Sequence, residues 1–164
     1  MPARTCIPWP DKRLRTPAEP VGQVTDEHRA IWEDMIATME AMPGVGLAAP
    51  QIGFMLRLAE VDASDQRGFA VRMADPEIVG TSDEMNVHPE ASPNLPGVSA
   101  KITRPATVSV AFTDHMGIRV RQEFEGLWAT SVQHQIDHLN GKMYFDNLSK
   151  VKRDMLLKKA RKAG

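Results

Sequence analysis

Cysteine is nearly absent. Cys6 is the only one in 164 residues, which excludes an intrachain disulfide and any metal site built on a cysteine cluster. Long apolar runs are missing too: no stretch reaches the roughly 18 apolar residues of a membrane span. The opening Met1-Pro-Ala-Arg-Thr-Cys-Ile-Pro-Trp-Pro has no apolar segment of the kind a secretory leader carries. A soluble protein of a reducing cytoplasm is the expectation. Neither sign of charge prevails, with a net charge of -1 and a pI near 6.5, so no global case exists for DNA or a membrane surface as partner. Aromatic residues are only 5% of the chain, and ten methionines supply part of the core instead. With 42% hydrophobic residues, a chain of this length buries a real core as one domain, residues 1–164. The charge that is present is unevenly placed: from Ser149 onward seven Lys and Arg oppose the single Asp154, a basic tail on an acidic body.

Proline interrupts Ile7 to Val21 too often for a helix, so that segment should run extended over the surface. Thr25 followed by Asp26 and Glu27 is a helix start, and Ile31, Trp32, Met35, Ile36, Met39 and Met42 keep helical spacing until Pro43-Gly44. This stripe reads as packing, not as a ligand site. Gly44 to Gly53 is a loop of nearly naked backbone. Strands are expected over Met55 to Val61 and Phe69 to Met73, the second closed by Asp75-Pro76. Thr81 to Gly97, rich in Ser, Asp, Asn and Pro, looks irregular. Thr107 to Phe112 and Ile118 to Phe124 form a hairpin, the second strand alternating Ile118, Val120, Gln122 and Phe124 against charged residues. A helix follows over Leu127 to Asn140, with Trp128, Val132, Ile136 and Leu139 near one stripe and Asn140-Gly141 as its left-handed stop. Val151, Met155, Leu156 and Lys159 mark a last, basic amphipathic helix at about 150–162.

Within the Leu127 helix, His134 and His138 lie four residues apart and share a face, so their imidazoles can converge on one metal ion. Taken alone, such a pair equally describes two polar residues on a partly exposed face. Between them stands Gln135, where a hydrolytic metal helix of the His-Glu-x-x-His type carries its glutamate.

Three segments add context: Gly44-Val-Gly-Leu-Ala-Ala-Pro-Gln-Ile-Gly53, Glu90-Ala-Ser-Pro-Asn-Leu-Pro-Gly97 and Gln133-His-Gln-Ile-Asp-His-Leu-Asn-Gly141. In order and spacing they resemble the three signature motifs of the peptide deformylases, and Pro10 to Arg15, Arg104-Pro105 and Phe145 to Ser149 resemble the flanks. The resemblance implies an α+β fold, with antiparallel or mixed sheets around a central helix carrying the two histidines, an N-terminal helix and a C-terminal helix. It also implies a hydrolase that uses Fe(II), Zn or Ni to remove formyl from the N-terminal methionine of nascent chains. In that family the two histidines and a cysteine of the second motif bind the metal, and the glutamate between the histidines is the general base. The glutamine of the first motif and a backbone N–H beside the cysteine hold the oxyanion.

Carried over residue by residue, the resemblance gives His134 and His138 as ligands and Gln51 as the oxyanion donor, then breaks three times. Ser92 stands at the ligand cysteine, and a neutral hydroxyl is a poor ligand beside a thiolate. Gln135 stands at the base, and an amide cannot take a proton from water. Pro93 stands where the oxyanion N–H belongs, and proline has none. The fold is expected to be kept, any divalent metal to be weak or absent, and deformylase activity to be lost or severely reduced. Among possible substitutes, His88 is expected to be an ordinary loop histidine, Glu90 to pair with Arg104, and Asp137 to orient a neighbouring group. His28, His115 and Cys6 receive no role. Val45 and Gly46 offer backbone to a peptide as an added strand, and the small polar Thr130 and Ser131 point to a remodelled side-chain pocket. Three functions follow as expectations: a groove for a peptide N-terminus or small acylated ligand without efficient catalysis, an active metal-dependent hydrolase with altered chemistry, or a ribosome-binding protein that uses the basic tail.

Overall fold

The computed structural model describes residues 3–163. Thr25 caps helix α1 (Asp26–Ala41), as its hydroxyl and the two acids after it suggest. His28 does have a role: its Nδ1 accepts the Thr25 N–H at 3.0 Å, where a capping-box glutamate would otherwise reach back. Trp32, Met35 and Met39 are buried along the helix.

Strands β1 (Gly46–Ala48), β2 (Leu58–Val61), β3 (Val71–Thr81), β6 (Thr107–Thr113) and β7 (Arg119–Glu125) form an antiparallel sheet in the order β1-β2-β3-β6-β7. Period-two alternation gives this sheet two apolar faces. Leu47, Leu58 and Ala74 pack under α1 with Trp32 and Met35. Ala59, Val61, Met73, Val110 and Phe112 pack against helix α2 (Gly126–Leu139) through Ala129, Val132, Ile136 and Leu139. A separate hairpin, β4 (Met85–Ser92) with β5 (Leu95–Pro105), closes over the other side of α2. Helix α3 (Lys150–Ala163) lies on β5, sharing a third apolar cluster with Leu95, Ile102, Tyr144 and Phe145. The architecture is α+β, antiparallel sheets about a central helix with a helix near each end.

Four expectations need correction. The proline-rich opening is not wholly extended, because Asp11 caps a short 3-10 turn over Lys12–Arg15 that buries Leu14. Strand β3 does not end at Asp75-Pro76 but bulges there, with Asp75 at φ 48 and a register shift between Ala74 and Glu77. The Asp75 carboxylate accepts the N–H groups of Val21 and Gly22, at 2.8 and 2.9 Å, which holds the bulge to the N-terminal segment. Thr81 to Gly97 is largely strand. Pro89 and Pro96 are tolerated because a two-stranded hairpin consists only of edge strands. His88 therefore sits in β4, its Nδ1 2.7 Å from the Pro89 carbonyl oxygen. In α3 the buried face is Leu156 and Ala160, whereas Val151 and Met155 are about two-thirds exposed.

One core position is anomalous. Glu60 in β2 is fully buried and neither of its oxygens has a hydrogen-bond partner. Arg72, directly opposite on β3, gives its Nη2 to Glu33 at 2.7 Å and leaves its own buried Nε unpaired. Burial, reinforced by the charge of Asp62, pushes the Glu60 acid up to about 8 from 4.5. Between those values the unfolded chain ionises and the native chain does not, so stability should fall as pH rises, by up to about 1.4 kcal/mol per pH unit. Comparing denaturant midpoints of the native protein and Glu60→Gln from pH 5 to 8 checks this. The variant should lack that part of the slope, and equal slopes would refute it.

Candidate active site

Helix α2 stops where the sequence places the stop. Gly141, at φ 75, gives its N–H to the His138 carbonyl, and the Lys142 N–H reaches the Asp137 carbonyl. A side chain at Gly141 would run into the Arg15 backbone, whose oxygen lies 2.7 Å from a built Cβ. The stop fixes the helix so that His134 and His138, both buried, bring their Nε2 atoms to 3.2 Å. Two nitrogens bound to one tetrahedral ion at 2.0–2.1 Å would lie about 3.3 Å apart. Burial, with the nearby charges of His134 and Arg104, holds His138 neutral well below the ordinary histidine range.

His134 is oriented from behind. Its Nδ1 lies 2.8 Å from Glu90 Oε1, which leaves Nε2 for the cleft. Arg104 grips both oxygens of Glu90, at 2.7 and 2.9 Å, and reaches Asp137 at 3.0 Å. Both members of the Glu90–Arg104 pair are buried. Burial would raise the Glu90 acid, but hydrogen bonds from His134 and Arg104 and the charge of Arg104 prevail and hold it below the ordinary glutamate value. Tyr144 stacks on His134, with ring centroids 5.8 Å apart and an interplanar angle of 16°. Burial and the Glu90 charge push its phenol up to about 12.

The second motif turns at Pro93-Asn94 between Ser92 and its register partner Leu95. The Ser92 hydroxyl donates to Asn94 Oδ1 at 3.1 Å instead of turning to the histidines. Asn94 Oδ1 also takes the Gln51 Nε2, at 2.7 Å, and Asn94 Nδ2 donates to the carbonyls of Ile7 and Gln51. Gln51 in turn accepts the Ala48 N–H on Oε1, and its other amide hydrogen meets Ser92 Oγ only at 3.4 Å. The Gln51 amide is thus largely committed to its neighbours.

A cavity of about 360 Å³ opens between these elements. Gln51, Ser92, Pro93, Thr130, Ser131, His134 and Gln135 line it together with Val45 and Gly46. His138 lies behind His134 and His88 outside this lining. One edge is β1, where alternation in the ladder leaves the N–H and C=O of Gly46 pointing away from β2. The Val45 carbonyl is spent on the Asp62 N–H at 3.0 Å and the Ser131 hydroxyl at 3.1 Å, so a docking strand would pair with Gly46. A side chain at Gly46 would have to push Ser131 and Gln135 aside, since a built Cβ lies 2.5 Å from Ser131 Oγ and 2.7 Å from Gln135 Nε2. Met42 and Pro43 form part of the wall, so the last methionine of the α1 stripe serves the cleft as well as packing.

The donor set fits a metal poorly. Two imidazoles converge, but the third position is a neutral hydroxyl already donating to Asn94. Among the described residues no group of three or more His, Cys, Asp and Glu is placed to hold an ion. What the lining presents is a strand edge, hydroxyls and amides.

Sequence reasoning located Gln51, Ser92, Pro93, Thr130, Ser131, His134 and Gln135 in one cleft and anticipated the Glu90–Arg104 pair. It missed Asn94, Tyr144 and Met42. Asn94 lies two residues beyond Ser92, and three of its four side-chain bonds reach segments far away in sequence, a signal that no local pattern carries.

A buried helix sets His134 in the wall of a cleft edged by a free strand, with His138 behind it, in an α+β frame shared with known hydrolases. The sequence model of polypeptide deformylases matches residues 4–154. A peptide deformylase of Afipia carboxidovorans is 44% identical over 165 residues, covering 99% of this chain and 96% of the relative. A crystal structure of a peptide deformylase from Legionella pneumophila superposes with a TM-score of 0.91 at 37% identity, covering 98% of this chain and 95% of that one. That of the Ehrlichia chaffeensis enzyme in complex with actinonin gives 0.92 at 32% identity, covering 99% and 98%. This chain belongs to the peptide deformylase family.

Proposed function

We propose that this family member keeps a cleft for the N-terminal end of a peptide or a related acylated ligand and has lost, or nearly lost, the hydrolysis of the formyl group. The observation that carries the reading is Gln135 in the base position, an amide whose Nε2 faces the Ser131 hydroxyl at 3.5 Å. Loss of a general base typically costs about 10²- to 10⁴-fold. Ser92, turned to Asn94, and Pro93, without an N–H, support the same conclusion from the metal and oxyanion sides. Turnover of a formyl-Met peptide with Fe(II), Ni(II) or Co(II) supplied should be at least about 10²-fold below an ordinary family enzyme assayed beside it. Comparable turnover would establish instead an active metal-dependent hydrolase.

A second reading concerns α3, which turns Val151, Met155 and several lysines to solvent. We propose that this basic face docks on the ribosome. Because Leu156 and Ala160 close an apolar cluster, charge reversal is a cleaner test than deletion. Lys152→Glu/Lys159→Glu should reduce co-sedimentation with ribosomes at least several-fold, and undiminished pelleting removes the idea.

A further inference from the structure

Strand β7 ends one side of the five-stranded sheet, and among the described residues no strand lies beyond it. The hairpin fixes which of its backbone groups are free. The Asp114 N–H donates to the Ile118 carbonyl at 2.9 Å, and alternation along the ladder then makes Phe112–Val120, Val110–Gln122 and Val108–Phe124 the hydrogen-bonded pairs. The N–H and C=O groups of Arg119, Arg121 and Glu123, with the N–H of Glu125, therefore point outward. The side chains divide between the two faces. Val120 and Phe124 pack in the cluster shared with α2, whereas Arg119, Arg121, Glu123 and Glu125 are exposed on the opposite face. Arg119 gives one nitrogen to the Asp75 carbonyl at 2.9 Å. The other three enter no ion pair among the described residues.

Charged side chains ordinarily guard a free edge against association. Here their order defeats the guard for one partner, the same strand. A second copy laid antiparallel, with Gln122 facing Gln122, sets Arg121 opposite Glu123 and Arg119 opposite Glu125, each pair twice. These are the residues whose backbone groups point outward, so one register both pairs the charges and continues the ladder. The neighbouring registers that keep the backbone bonds set Arg121 against Arg121 or Glu123 against Glu123. On the α2 side, the complementary register brings Val120 of one copy opposite Phe124 of the other, at a groove of about 230 Å³ lined by Val71, Gln122, Phe124 and Trp128. It also brings the exposed Met116 and Ile118 of each hairpin beside the first turn of the other copy's α2, where Leu127 is exposed.

We propose that two copies of this chain join edge to edge through β7, continuing the antiparallel sheet across a two-fold axis at Gln122.

Sedimentation at low ionic strength tests this. The native chain should form a dimer. In Arg121→Glu, and separately in Glu123→Arg, both inner pairs become like-charged, and the dimer dissociation constant should rise at least about 10-fold. An equimolar mixture of these two variants again has opposite charges at both inner pairs and should dimerise about as tightly as the native chain. So should the double variant Arg121→Glu/Glu123→Arg by itself, which keeps the test decisive if a single variant does not fold. A native chain that stays monomeric at about 0.1 mM, single variants that dimerise as tightly as the native chain, or a double variant that stays monomeric overturns the proposal.

Discussion

Ser92→Cys combined with Gln135→Glu, in the presence of Fe(II) or Ni(II), is expected to raise turnover of a formyl-Met peptide by at least about 10²-fold over the native chain. Each change mends a different fault. The thiol supplies a soft third donor beside two imidazoles whose Nε2 atoms are already 3.2 Å apart, and the carboxylate supplies a proton acceptor. Either change alone should gain little, because a base without a metal-bound water has nothing to activate, and groups that act as a unit are non-additive. Adding Pro93→Leu restores a backbone N–H and should contribute further, up to about 10²- to 10³-fold if it reaches the oxyanion. Turnover and metal stoichiometry measured together decide the matter. A double variant that binds one metal per chain and stays at the native rate would mean that the faults lie elsewhere in the cleft.

Arg104→Met should cost about 3–5 kcal/mol of stability, read from denaturant unfolding at neutral pH. Methionine fills much of the space of the arginine stem, so the loss is chiefly electrostatic: Glu90, buried, would keep its charge with His134 alone. Glu90 has its acid form disfavoured in the native state, so its contribution is present above the ordinary glutamate range and fades as pH falls through the lowered native value. Removing Arg104 lets Glu90 take a proton at higher pH, so the cost of the substitution should shrink between pH 7 and 4. The double variant Glu90→Gln/Arg104→Met should be more stable than Arg104→Met alone. A cost that does not change with pH would assign the loss to packing.

The helices were legible because their signals are local: Thr25 and Pro43 bracket the first, Gly141 stops the second, and apolar spacing fills both. The β4–β5 hairpin was not. It contains Pro89, Pro96 and Gly97, which local patterns read as loop, its outward face mixes Met85 and Val87 with polar residues, and several of its inward residues, Glu90, Ser92 and Arg104, are polar and line or support the cleft. Asp75-Pro76 misled for a related reason, since a bulge anchored by Val21 and Gly22 is a tertiary event. The cleft-lining positions were legible through motif order, whereas the use each side chain makes of its neighbours was not. Ser92 could be named from its place in the second motif, but that its hydroxyl belongs to Asn94 follows only from the fold. In α3 the lysine-rich pattern allowed several faces, and the cluster around Tyr144 and Phe145 selected Leu156 and Ala160.

The cleft is also tied to the segment around Ile7 and Trp9. The Ile7 N–H donates to the Gln51 carbonyl at 2.9 Å, the Trp9 N–H to the Asn94 carbonyl at 2.8 Å, and Asn94 Nδ2 to the Ile7 carbonyl at 2.6 Å. That last bond joins positions 87 residues apart. Gln51 and Asn94 are therefore locked by a segment that meets them only in the folded protein. Cleavage near Trp9 would remove these bonds, and its effect would be felt first at Gln51 and Asn94 in the cleft.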